Sequence, residues 1–131
     1  MSNDVTTVRT LVDELVKFWA GGERARLATM LDPNVTSWVA VSGRHTGREA
    51  TMAMLDTLGS HIADGNTRTE CVIAAADLAV AEVASTPLSA VHGERELKFT
   101  VVVKVANAHI VEVLIYLDPL HLLQEDIVTA S

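Results

Sequence analysis

A chain of 131 residues is long enough to form one compact domain whose core needs neither disulfides nor metals. Apolar residues make up 49% of the sequence and charged residues 21%, which is globular composition and excludes a largely disordered chain. The formal charge is −7 and the basic residues are scattered, so we expect no binding to nucleic acid.

The sequence also bears on where the chain resides. Cys71 is the only cysteine and lies in an apolar run, which predicts a buried, unreactive thiol and a reducing compartment. The first residues lack a basic region followed by an apolar stretch, and no apolar run approaches the length that spans a bilayer. We therefore expect a cytoplasmic protein with no membrane partner.

Three helices are predicted in the first half of the chain. Apolar residues recur with helical spacing from Val8 to Trp19, between a polar start and Gly21. A second, shorter helix is predicted at 23–31, ended by Pro33 because proline disfavours helical geometry in the residue before it. A third is predicted at 48–62, with Met54, Leu58 and Ile62 on its apolar face.

Strands are predicted where β-branched and aromatic residues concentrate, at 35–41, 67–75, 79–86, 94–106 and 108–117. Residues 42–47 are rich in turn-forming residues and predict a loop. Asp118 followed by Pro119 predicts the start of a short C-terminal helix. Short turns between the last four strands favour antiparallel hairpins. We therefore expect an α+β fold, as one domain over 1–131, in which a curved antiparallel sheet and about three helices form a cone around an apolar pocket.

The last predicted strand is apolar on both faces. Its alternation places Val111, Val113, Ile115 and Leu117 on one side, opposite Ile110, Leu114 and Tyr116. One face suits the interior, and the other suits contact with a second copy of the chain. We therefore expect a homodimer.

Four segments, at 18–22, 31–35, 46–50 and 110–119, resemble the SnoaL-like, ketosteroid-isomerase-like group of the nuclear transport factor 2-like superfamily. The resemblance covers about residues 5–123 and implies the cone-shaped fold described above. It also implies a pocket for a hydrophobic, polycyclic or polyketide-like molecule and acid–base chemistry without a metal or another cofactor. Isomerases, cyclases, hydrolases and proteins without catalytic activity all share this fold, so the fold alone does not assign an activity.

Most catalytic positions implied by the resemblance hold residues that cannot do that chemistry. The general base of a ketosteroid isomerase falls at Trp38, and its oxyanion-hole tyrosine falls at Glu14. The arginine and two aspartates of epoxide-hydrolase-like members fall at Val83, Ser85 and Ile115, and the carboxylate of cyclase-like members falls at Ile115 as well. The catalytic groups that the resemblance implies are therefore missing at these positions.

Two titratable residues lie close to a predicted apolar stripe. Glu14 borders the buried side of the first helix and either points into the pocket, where its acid form would be favoured, or is solvated beside Asp13. His61 either reaches the pocket rim or sits at a helix end, where it interacts favourably with the helix dipole. Metal binding is not expected, because the histidines show no ligand spacing such as i, i+4.

The predicted pocket is lined by apolar residues with one hydroxyl among them: Leu15, Phe18, Trp38, Leu58, Val83, Ser85, Phe99, Val101, Val113, Ile115 and Leu117. Two hypotheses follow. The first is an isomerase, cyclase or hydrolase in which Glu14 or His61 transfers a proton. The second is a non-catalytic binder of a hydrophobic molecule, or a dimeric structural protein, because the catalytic positions are apolar.

Overall fold

The computed structural model describes residues 4–40, 42–60, 67–85 and 97–117. Within these residues the chain forms three helices and six strands, and the predicted α+β class is confirmed. The helices are α1 (Val5–Trp19), α2 (Arg24–Met30) and α3 (Arg48–Gly59). The strands are β1 (Leu31–Val39), β2 (Gly43–Thr46), β3 (Arg68–Ala74), β4 (Leu78–Ser85), β5 (Leu97–Ala106) and β6 (His109–Tyr116).

Helix α1 has the ends that the sequence predicts. The carboxylate of Asp4 accepts a hydrogen bond from the Thr7 backbone N–H at 2.7 Å, which caps the first turn. This bond from the Thr7 backbone lowers the pKa of Asp4. The helix stops before Gly21, whose φ of 96° is a left-handed conformation that glycine adopts without strain. In the described part of the chain, no helix is both long and apolar enough to cross a membrane.

The junction between α2 and β1 differs from the prediction. The helix was expected to run to residue 31 and the strand to start at residue 35, but β1 already begins at Leu31, which pairs with Ile110 of β6. The Arg48 side chain donates from Nε and Nη2 to the Leu31 carbonyl, at 3.1 and 2.7 Å. These long-range contacts extend the strand past Pro33, and no local pattern predicts them.

Residues 43–46 were expected to be a loop and instead form β2, which pairs antiparallel with β1. The strand is short and polar, so it lacks the apolar alternation by which strands are recognised. The other predicted strands agree with β3 to β6 to within a few residues. The last two residues of the predicted third helix, 61–62, and the predicted C-terminal helix from Asp118 lie outside the described residues.

The six strands form one curved, open sheet in the order β2-β1-β6-β5-β4-β3. The sheet is mixed, because β1 and β6 run parallel while the other neighbouring strands are antiparallel. Helix α1 packs over β3 and β4, and α3 packs over β1 and β2. The helices therefore cover one side of the sheet, here called the concave face; the opposite side is the convex face.

A bulge in β6 corrects the predicted division of its two faces. Val105 pairs with Ile110 and Lys104 pairs with Glu112, so Val111 is an extra residue on β6. The bulge turns Ile110 into the core, where it is fully buried, although the alternation placed it on the outer side. Leu114 and Tyr116 remain on the convex face, as predicted.

Candidate functional site

The core between the helices and the concave face contains nearly all of the predicted pocket residues. Nine of them are buried together in one core: Leu15, Leu58, Val83, Ser85, Phe99, Val101, Val113, Ile115 and Leu117. Phe18 is partly buried and packs against the same core. Among the described residues no charged side chain is buried, and the four buried polar residues all carry hydroxyls.

These four hydroxyls form two pairs on different parts of the sheet. Ser37 of β1 lies 3.0 Å from Thr51 of α3, measured between their hydroxyl oxygens. Thr67, just before β3, lies 2.8 Å from Ser85 at the end of β4. Each pair joins two elements, so the polar groups of the interior bond to each other.

Trp19 holds α1 against its neighbours, a role that the sequence did not indicate. Its indole Nε1 donates to the Leu55 carbonyl of α3 at 3.1 Å, and its ring packs edge-on against Phe99 of β5 at 5.3 Å between centroids. A Cβ at Gly59 would lie 3.2 Å from the Trp19 ring, so this glycine lets α3 approach α1 closely. The only indication of this role in the sequence was the position of Trp19 at the end of the apolar stripe of α1.

Trp38 does not line the interior, which corrects the prediction. Val35, Ser37 and Val39 of β1 point to the concave face, and strand alternation turns Trp38 to the convex face. There its ring contacts that of Tyr116, with 5.4 Å between centroids. The resemblance placed this tryptophan in the pocket, whereas the burial pattern of β1 assigns that face to Ser37.

Glu14 lies between two cations and not in apolar surroundings. Its carboxylate is 3.3 Å from Arg26 Nε of α2 and 3.8 Å from Lys17 Nζ one turn along α1. Its side chain is 18% exposed, and both partners are well exposed. Glu14 therefore lies in an ion-pair contact between α1 and α2 and not among the apolar side chains of the core.

The other titratable candidates are a half-buried histidine opposite Ser37 on the edge strand β2, an exposed one at the start of β6, and one that is undescribed. His61 lies outside the described residues. His45 bonds to the Ser42 hydroxyl at 2.8 Å, and His109 bonds to the Asn107 carbonyl at 2.9 Å. In the part of the chain that the structure describes, no three His, Cys, Asp or Glu side chains form a metal-binding group. Cys71 is exposed on the edge strand β3, which corrects the predicted buried thiol.

Two grooves are lined by described residues. One, of about 240 Å³, lies between the second half of α1 and the start of β3. Its apolar residues are Val16 and Ala20, and its polar residues are Asp13, Lys17, Thr67, Arg68 and Thr69. The first groove, here called the α1–β3 groove, is bordered by Thr67 of the buried hydroxyl pair and so adjoins the interior.

The second groove, of about 440 Å³, follows the convex side near the ends of β3 to β6. It is bordered by Glu70, Glu82, Lys98 and Tyr116, among others. A salt bridge of 3.8 Å joins Lys98 to Glu70. Its lining combines these polar side chains with Val83, Phe99 and Leu117 of the predicted pocket.

Comparison with known proteins relates this arrangement to others of the same fold. A candidate SnoaL-like polyketide cyclase from Jannaschia has a TM-score of 0.75 at 16% identity, with 95% of this chain and 94% of that chain covered. A candidate ketosteroid isomerase from Kribbella flavida has a TM-score of 0.69 at 19% identity, with coverage of 88% and 81%. At these identities the likeness shows the shared fold alone.

A nuclear transport factor 2-like protein from Anabaena variabilis has a TM-score of 0.71 at 17% identity, with coverage of 88% and 90%. No curated protein matches the chain significantly in sequence. The SnoaL-like domain family matches residues 12–113, which span α1 to β6. The chain therefore belongs to the SnoaL-like domain family, as the sequence predicted.

Proposed function

We propose that this protein binds a hydrophobic small molecule between its helices and the concave face, and that it does so without acid–base catalysis. The observation that carries the proposal is the composition of the described interior. Its buried side chains are apolar except for two hydroxyl pairs, and none of them is charged. Such a surface favours an oily molecule over an ion, because a buried charge without a partner is costly.

The absence of catalysis rests on the surroundings of the candidate acid. Proton transfer needs a titratable group beside the reacting atoms, and electrostatic catalysis needs oriented charges or dipoles. Glu14 interacts with Arg26 and Lys17 at the contact between α1 and α2, and it is not buried in the core. Glu14 therefore gives little support to the hypothesis of an isomerase, cyclase or hydrolase, in which Glu14 or His61 transfers a proton.

The α1–β3 groove is the proposed way in for the molecule. Its volume of about 240 Å³ is smaller than that of most small-molecule pockets, which run from about 300 to 1,000 Å³, so it would admit one compact part of the molecule, with Val16 and Ala20 supplying apolar contact. Its position beside Thr67 connects it with the interior. A polycyclic or polyketide-like molecule fits this description.

Binding of the neutral dye N-phenyl-1-naphthylamine, which fluoresces more strongly in apolar surroundings, tests the proposal. We expect saturable binding with a micromolar Kd. Ala20→Phe should weaken it at least about tenfold, because the new ring fills the groove. Ala53→Phe, the same change at an exposed position of α3, should leave it unaltered. A fluorescence rise that does not saturate, or equal affinity in all three proteins, would refute the proposal.

We further propose that the protein works as a homodimer joined through its convex face. Five side chains lie in register across five strands in one row, here called the convex row: Ile73, Val80, Val102, Leu114 and Trp38. Ile73 at one end is 70% exposed, and Tyr116 beside the row is 50% exposed. A second copy would bury this apolar surface.

The charges beside the convex row support a second copy as the occupant. Glu82 lies on one side of the row, while Lys104 lies on the other side, one strand away. A twofold axis parallel to the row brings Glu82 of each protomer next to the partner's Lys104. Lys104 also contacts Glu112 of its own chain at 3.0 Å, so the partner's Glu82 would join an existing ion pair.

Residence in the cytoplasm is also part of the proposal. The exposed thiol of Cys71 suits a reducing compartment, where such groups persist without forming disulfides. The charge of −7 argues against a nucleic acid partner.

A further inference from the structure

We infer that the Thr67–Ser85 hydroxyl pair is the polar anchor of the bound molecule, and that this molecule carries an uncharged oxygen acceptor such as a ketone or ester carbonyl. The inference rests on the proposed binding function and adds the chemical class of the ligand. It assigns a role in specificity to two residues whose hydrogen bond otherwise only joins β3 to β4.

The geometry places this pair at the boundary between groove and interior. Thr67 borders the α1–β3 groove, and its Oγ1 lies 2.8 Å from Oγ of Ser85. Ser85 is fully buried on the concave face, and Thr67 is 8% exposed. A molecule in the groove therefore meets the Thr67 hydroxyl first.

Counting donors shows that the pair has one proton left over. Each hydroxyl has one proton to donate, and only one of the two can be used between the partners. Among the described residues, neither hydroxyl has another hydrogen-bond partner. If Ser85 donates to Thr67, the Thr67 proton remains free at the groove, and a buried donor without an acceptor is unfavourable. A ligand oxygen would satisfy it.

The surroundings select a neutral acceptor over a charged one. The apolar contacts of the groove come from Val16 and Ala20, and its rim carries Asp13, Lys17 and Arg68, which combine both signs of charge. No charged residue of the described chain is buried to pair with an ionic ligand. A single hydroxyl donor beside apolar surface matches a carbonyl attached to a hydrocarbon frame.

The other hydroxyl pair provides an internal control. Ser37 and Thr51 are equally buried, but neither borders either of the two described grooves. Their pair lies under β1 and α3, far across the sheet from β3. Removing a hydroxyl there should not affect recognition of the ligand.

Two probes of nearly equal shape test the inference: 2-acetylnaphthalene, which has a carbonyl, and 2-ethylnaphthalene, which has a methylene in its place. Isothermal titration should show the wild-type protein binding the ketone about three- to tenfold more tightly than the hydrocarbon. Thr67→Val should abolish this preference while leaving the affinity for the hydrocarbon unchanged. Ser37→Ala should retain the preference.

If Thr67→Val unfolds, the double variant Thr67→Val with Ser85→Ala removes both hydroxyls and leaves neither unpaired; it should also lose the preference. Equal affinity of the wild type for the two probes would overturn the inference while leaving the binding function intact. A preference that survives the loss of Thr67 would overturn it as well. Failure of the wild type to bind either probe would overturn both the inference and the proposed function.

Discussion

Glu14 illustrates what residue spacing can and cannot predict. Its position beside the buried stripe of α1 follows from helical periodicity, and the partial burial of its side chain agrees with that position. Its partner Arg26 belongs to α2, and no periodicity within α1 indicates where α2 will pack. The sequence therefore identified a notable carboxylate but not the cations that it contacts.

Trp38 and Ser37 show the same limit on a strand. The alternation of Val35 and Val39 with polar residues already assigned Ser37 to the buried side of β1. An ungapped alignment to the family's catalytic base placed Trp38 in the pocket instead. Local alternation was the better guide here, because a shift of one residue moves a side chain to the opposite face.

The N-cap of α1 gives a prediction about pH. Because the bond from the Thr7 backbone lowers the folded-state pKa of Asp4, the cap stabilises the folded state above the ordinary aspartate value of about 3.9. That stabilisation is lost as the pH falls through the lower folded-state pKa. An NMR titration should give Asp4 a pKa below about 3.9, and the Thr7 amide shift should follow the same midpoint.

Asp4→Asn serves as the control for this titration. Asparagine keeps an oxygen that caps the helix but has no proton to lose, so the Thr7 amide should no longer titrate in the acid range. An Asp4 pKa at or above the ordinary value would show that the carboxylate does not cap α1 in solution.

Among the elements, those defined by their own sequence were predicted well and those defined by a partner were not. Helix α1 has a long apolar stripe with a polar start, and β5 alternates cleanly from Phe99 to Val105. By contrast, β2 exists because β1 supplies its hydrogen bonds, and the Val111 bulge exists because β5 and β6 differ in register. Pairing between strands distant in sequence leaves little local signal.

The convex row leads to a prediction about association of two copies of the chain. Leu114→Glu places a charge at the centre of the proposed contact, twice in a symmetric dimer, and should weaken association at least about a hundredfold. Light scattering at micromolar concentration should give twice the chain mass of 14.1 kDa for the wild type and the single chain mass for the variant.

Ala53→Glu is the matched control, because it adds the same charge to an exposed position of α3, away from the convex row. It should remain dimeric. A wild-type protein with the mass of one chain would contradict the homodimer, and a Leu114→Glu variant that stays dimeric would place the contact elsewhere.

For the whole molecule, the order of the predicted elements was sufficient to predict the α+β class. The family resemblance rested on four short segments, and the family match over residues 12–113 confirms it. The mixed character of the sheet was not predicted, because the parallel pairing of β1 with β6 joins segments separated by four intervening strands and a helix. The binding site could be predicted only as an apolar interior. Its groove depends on how α1 lies against β3, which requires the folded chain.

The central claim is that a hydrophobic molecule enters beside α1 on the concave side of the sheet. Mapping amide chemical shifts during titration with N-phenyl-1-naphthylamine tests it most directly. We expect the largest saturable changes at Val16, Ala20 and Thr69, around the α1–β3 groove. Changes concentrated at Val102 and Leu114 on the convex row, or none that saturate, would contradict the account.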